Sequence, residues 1–236
     1  MSAPTSASIL HDFFVAVDAA CADSDTSMSQ FFVSFEKAFH ASRSERALTT
    51  PHLNVLKAFG LEFAELRHSA VLAWFLSPDS EHEQGVLFVN ALLEWFQVSP
   101  LKNERYTVLR ERHHRIDVAA YAAGDFAIFI ENKVRHHERE KQVSDMIDSM
   151  LEVSQENGIP DDRRFAVFLT DTGAAPVTGP PKNPAGFLNS NLKSARRVEL
   201  FERFRVALVA RTRYSPLLLN FLDSYLGAIR RLRASL

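Results

Sequence analysis

Residues 115–142 read RIDVAAYAAGDFAIFIENKVRHHEREKQ, and this stretch decides the fold. Residues 115–122 alternate small and apolar side chains, Ala123-Gly124-Asp125 carries turn chemistry, and residues 126–134 form a β-favouring run. The pattern predicts two antiparallel strands joined by a tight turn. Asp117, Glu131 and Lys133 interrupt the apolar strands. A charge in such a strand is costly to bury unless it is paired or binds a metal. Strand side chains alternate faces, so Glu131 and Lys133 share one face and Asn132 takes the other. Asp117 joins the Glu131 face only if the loop has an odd number of residues, as with residues 123–125 centred on Gly124. An even loop, without a bulge, sets it opposite Ile130 instead. The neighbours are apolar on both faces: Val118, Ala120, Ile128 and Ile130 on one, Ala119, Tyr121, Ala127 and Phe129 on the other. Strands of this kind are covered on both sides.

Two carboxylates at bonding distance repel each other unless a cation lies between them. Magnesium suits such a pair, because it takes oxygen ligands, keeps several waters and bridges to phosphate. A lysine beside that ion can orient a water or stabilise charge on a phosphate oxygen. Spacing alone fits a structural ion pair, Lys133 with Glu131 or Asp117, equally well.

Asp117, then Glu131-Asn132-Lys133 after a turn, with Gln142 on the following helix, resembles the D…(D/E)xK signature of the PD-(D/E)XK nuclease superfamily. An upstream segment is similar to the "RHS…LAWLL.P" block of a bacterial branch of that superfamily. It runs from Asn54-Val55-Leu56 through Glu65-Leu66-Arg67-His68-Ser69 to Phe75-Leu76-Ser77-Pro78. Together they extend the resemblance over about residues 52–236. Ile116 stands where the family name places a proline, and Met146 where members often carry an aromatic residue. The resemblance implies a metal-dependent nuclease in which Asp117 and Glu131 hold Mg²⁺ or Mn²⁺. Lys133 then positions the attacking water or stabilises the transition state, and Gln142 orients the lysine or a water. DNA is expected as substrate ahead of RNA, in a setting of genome maintenance, restriction or phage defence. A second class stays open: a non-catalytic nucleic-acid-binding or protein-interaction module on the same fold, working in an assembly.

The bounds are those of a globular protein. The chain has 236 residues, 46% hydrophobic and 24% charged, enough for one sizeable domain with a helical extension. A net charge of −2 excludes an overall basic signature but leaves room for local phosphate contacts. The lone cysteine, Cys21, rules out an intrachain disulfide, and no apolar run is long enough to span a membrane. No basic start precedes the first apolar run, which Asp12 and Asp18 interrupt, so no signal peptide is read and a cytoplasmic location is expected. Zinc spacings, a P-loop, a dinucleotide glycine fingerprint and internal repeats are all absent from the sequence.

Two helices are expected within residues 1–50, the second carrying Phe31, Phe32, Phe35 and Phe39 on one side. They lie outside the resemblance and are read as an N-terminal helical extension, either an accessory cap or an interface for a second copy or a partner protein. Residues 51–236 are read as the nuclease-like domain. Helices are expected over 61–76, 86–98, 138–157, 199–211 and 216–232, and strands over 105–112 and 165–170. Adjacent His113 and His114 make a poor zinc pair and are read as a polar turn. Residues 171–193 are rich in glycine and proline and are read as a long loop, followed by a short strand over 196–198. The fold class is therefore α/β, a mixed sheet of about four or five strands between helices, the core that the resemblance calls restriction-endonuclease-like.

On the helix over 61–76, Glu65, His68, Ser69, Leu72 and Leu76 share one face. The leucines turn that face inward, so its polar end needs partners. A buried hydrogen-bonded cluster is one account. The other, implied by the resemblance, is that an acid or histidine from this helix completes the metal shell. Of the two, Glu65 is favoured as a direct or water-mediated ligand, because Mg²⁺ prefers oxygen, with His68 and Ser69 in support.

Overall fold

The structure, a computed structural model, describes residues 63–102, 105–110, 116–134, 142–176, 187–212 and 214–234. The expected N-terminal helices, the Asn54–Leu56 part of the upstream block, the His113-His114 pair and the middle of the long loop lie outside these residues.

Two helices come first, α1 (Glu65–Leu76) and α2 (Leu87–Trp95). Three antiparallel strands follow: β1 (Thr107–Arg110), β2 (Val118–Ala122) and β3 (Phe126–Asn132). Helix α3 (Gln142–Glu156) then crosses over to β4 (Arg164–Thr170), which pairs parallel to β3. Strand β5 (Leu192–Arg196) pairs parallel to β4, and α4 (Arg197–Val209) and α5 (Pro216–Ala234) close the chain. The result is one mixed five-stranded sheet in the order β1-β2-β3-β4-β5, flanked by helices, as the α/β reading expected.

The sheet separates two apolar clusters. Val118, Ala120, Ile128, Ile130, Val167 and Leu169 face α1, α2, α4 and α5. Ala119, Ala127, Phe129, Ala166 and Phe168 face α3, through Val143, Met146, Ile147, Met150 and Val153. β3 is buried along its whole length, as both-face coverage demands. At the C-terminus of α1, the His82 ring reaches the Trp74 and Phe75 carbonyls through Nε2, at 3.0 and 3.2 Å, and accepts from the Gln84 amide at Nδ1. Burial pulls its pKa down, which suits this neutral tautomer. Helix α3 ends where Gly158 adopts φ +63° and the Ile159 amide returns to the Ser154 carbonyl at 2.8 Å.

One strand was expected in the wrong place. Residues 196–198 are the end of β5 and the start of α4, and the strand lies earlier, over Leu192–Arg196. β5 is an edge strand in which only Ala195 is fully buried, so it lacks the apolar run that marks a central strand. Lys193, which reads as a loop residue, lays its ammonium over the Trp95 and Phe96 rings at 5.5 and 5.2 Å. Among the described residues, no helix is long and apolar enough to cross a membrane.

Candidate active site

The β2–β3 loop is residues 123–125, with Gly124 in the left-handed region at φ +69°. This odd loop sets Val118 opposite Ile130, and the same register continued by one residue sets Asp117 opposite Glu131. Both carboxylates therefore belong to the sheet face that α3 covers. Asp117 Oδ2 accepts the Asn132 amide at 2.7 Å, which anchors the acid to the neighbouring strand.

Glu131 is buried, and two side chains converge on its Oε1: the Lys133 ammonium at 2.7 Å, and Gln142 Nε2 from the first residue of α3. Lys133 follows β3, and its amide donates to the Leu169 carbonyl of β4 at 2.8 Å. Parallel pairing thus fixes the backbone from which the lysine springs. Glu65, at the start of α1, approaches around the C-terminal end of β3. Its Oε1 accepts the Val134 amide at 3.1 Å, and its Oε2 lies 4.0 Å from the Lys133 ammonium.

Glu131 thus lies within electrostatic reach of Lys133, Asp117 and Glu65. Burial pushes the Glu131 carboxyl up to about 7; the charge on Asp117 adds to this, the Lys133 hydrogen bond and charge oppose it, and Glu65 adds a smaller push.

His68 and Ser69, also on α1, bond to groups on α5, β3 and α1 itself. His68 is buried with Nδ1 2.6 Å from the Tyr225 hydroxyl, and burial holds that phenol well above its ordinary range. Ser69 Oγ donates to the Glu65 carbonyl at 3.0 Å and accepts from Asn132 Nδ2 at 3.1 Å. Arg197 and Asp171 were not anticipated as members of this neighbourhood. The side chains of both are shielded on the opposite sheet face, where Arg197 binds Asn132 and the Lys133 carbonyl.

A family model for the PD-(D/E)XK nuclease superfamily matches residues 53–202, more than half of the chain. The chain belongs to the PD-(D/E)XK nuclease superfamily. No curated protein and no solved structure gives a match. The matched span runs through all five strands and into α4, so it contains Asp117, Glu131, Lys133 and Gln142 together. PD-(D/E)XK nucleases typically use divalent metals, and the residues can be tested against that demand. Among the described residues, no group of three or more His, Cys, Asp and Glu side chains is arranged to hold an ion. The Asp117–Glu131 pair has the chemistry that a hard cation takes: both groups are carboxylates, and Mg²⁺ keeps most of its waters when one or two carboxylates bind it.

Proposed function

We infer that the chain is a metal-dependent nuclease hydrolysing phosphodiester bonds. What carries this reading is the register that sets Asp117 opposite Glu131 on one sheet face, with the Lys133 ammonium 2.7 Å from the Glu131 carboxylate, inside the span that the family model matches. Asp117 and Glu131 would hold Mg²⁺ or Mn²⁺, with Glu65 reaching the ion through a water. When bound, the ion supplies Lewis-acid charge to a phosphoryl oxygen and lowers the pKa of a water.

The remaining work falls to the chain's own groups. Lys133 donates from its ammonium to the attacking water or to a phosphate oxygen as charge builds there. Gln142 donates to Glu131 Oε1 and so holds the carboxyl in one rotamer. Ser69 and His68 act through other residues, Ser69 by tying Asn132 to α1 and His68 by seating α1 on Tyr225. Water attacks phosphorus, the bond to the leaving oxygen breaks, and a phosphomonoester and a hydroxyl result.

DNA is taken as the substrate ahead of RNA, on the habit of the superfamily. Residues 51–236 are taken as the nuclease domain, a division supported by the start of the family match at residue 53. Residues 1–50 are taken as a helical extension that recruits a second copy or a partner. A cytoplasmic setting in genome maintenance, restriction or phage defence fits this reading by association.

The test is incubation with linear, circular and single-stranded DNA and with RNA, each with Mg²⁺. Wild type is expected to cut at least one substrate. Lys133→Ala is expected to lose most turnover while still binding Mn²⁺ in calorimetry, and Asp117→Asn and Glu131→Gln to lose both. If all three variants cut like wild type, the site is elsewhere. If wild type binds no Mn²⁺, or Asp117→Ala binds it unchanged, the chain is the non-catalytic module instead.

A further inference from the structure

Asn132 points away from the carboxylates and enters a second polar group on the far face of the sheet. At its centre is Arg197, the first residue of α4, which is 1% exposed. Its guanidinium engages three acceptors at once. Nε donates to Asn132 Oδ1 at 2.9 Å, Nη2 to the Lys133 carbonyl at 2.8 Å, and Nη1 to Asp171 Oδ1 at 2.5 Å. Asn132 Nδ2 continues the chain of bonds to Ser69 on α1. One buried arginine therefore joins α1, the end of β3, the segment after β4, and α4.

The bond to the Lys133 carbonyl matters most. The amides on either side of it already have partners: Asp117 holds Asn132 N–H, Leu169 holds Lys133 N–H and Glu65 holds Val134 N–H. Arg197 holds the carbonyl where the chain leaves β3, the point at which a strand end would otherwise fray. A buried ion pair such as Arg197–Asp171 adds little stability over apolar packing of equal volume. Its planar fork nonetheless fixes a particular peptide orientation, which an ammonium cannot reproduce. We propose that Arg197 is a positioning residue for Lys133: by gripping the Lys133 carbonyl and the Asn132 side chain together, with Asp171 balancing its charge, it fixes where the Lys133 ammonium stands over Glu131. The role rests on the nuclease reading above, since it matters only if Lys133 meets a substrate.

The test uses Arg197→Lys in the full-length protein, which keeps a charge opposite Asp171 and loses the fork. Expected is a fall in kcat of about ten- to hundred-fold, the scale of a small misplacement of a catalytic group, with KM held within about two-fold. In a Lys133→Ala background the same substitution is expected to cost nothing further, because its effect runs through Lys133. An equal loss in both backgrounds, or a loss in KM alone, overturns the proposal. Should Arg197→Lys fail to fold, Arg197→Met combined with Asp171→Leu removes both charges, leaves neither orphaned, and is expected to show the same pattern.

Amide hydrogen exchange gives an arm independent of cleavage. In the variant, the Lys133 and Val134 amides are expected to exchange at least about ten-fold faster, while Leu92 and Ile147 in the helices stay unchanged. No change at Lys133 and Val134, or uniform acceleration throughout, overturns the proposal. A wild-type protein that cuts nothing would sink the nuclease reading alone; the exchange arm would still decide whether Arg197 holds the Lys133 peptide.

Discussion

Glu131 is where burial and charge conflict most sharply, and it ties stability to pH. Its folded pKa, about 7, lies above the ordinary 4.5, chiefly through burial and then through Asp117. At pH below 4.5 the folded and unfolded chains both carry the proton, and the residue imposes no penalty. As pH rises from 4.5 to about 7, the unfolded chain releases the proton while the folded protein still holds it, so stability falls by a few kcal/mol in all, the loss being complete once the folded pKa is passed. In chelator, the melting temperature of wild type is therefore expected to fall relative to Glu131→Gln across this window. Parallel curves for the two proteins would show that the carboxyl is not raised. Charges placed in apolar strands are conspicuous, so Asp117, Glu131 and Lys133 were legible as a group in the sequence. Arg197 was not. It sits in Lys193-Ser194-Ala195-Arg196-Arg197, which has the composition of a solvated edge, and its partners Asn132 and Lys133 lie 65 and 64 positions away. Burial created by tertiary contact leaves no local mark.

At the level of elements, the hairpin was the most legible part because its periodicity and its turn chemistry agree. Gly124 carries that agreement. Its φ of +69° is the left-handed region, its amide donates to the Asn157 carbonyl at the end of α3 at 2.8 Å, and a Cβ there would meet nothing within 4 Å. Substitution therefore tests backbone preference without a clash. Gly124→Ala is expected to lose about 1 kcal/mol in urea unfolding, and Gly124→Asn less, because asparagine tolerates that region. An alanine variant as stable as wild type would mean that the loop adopts another geometry. Arg163 holds the same turn through an ion pair with Asp125, so the hairpin tip is tied to the start of β4 as well. β5 was less legible for the reason that makes it an edge: one side of it is open, and its single deeply buried side chain, Ala195, carries no strand signal.

Across the whole molecule, the two sides of the sheet are unequally covered. Four helices close one side, whereas among the described residues α3 is the helix that closes the other, and α3 also delivers Gln142 to Glu131. Ile147, fully buried in the middle of α3, thus serves packing and site together. Ile147→Ala is expected to cost about 2–5 kcal/mol and to lower turnover by loosening Gln142, as read by urea unfolding and by single-turnover cleavage. Unfolding at the wild-type midpoint would mean that α3 is not seated on the sheet. The mixed sheet also sets an order of events in folding. Asp117 and Glu131 are brought together by a local antiparallel hairpin, a contact that closes within microseconds. The Lys133 amide meets Leu169 only after the α3 crossover, and its carbonyl meets Arg197 across 64 positions, both of them long-range closures that form slowly. A refolding chain is therefore expected to pair its acids before its lysine is locked. If that pair holds a divalent cation as proposed, the ion present during refolding is expected to speed the folding limb of the chevron rather than slow the unfolding limb.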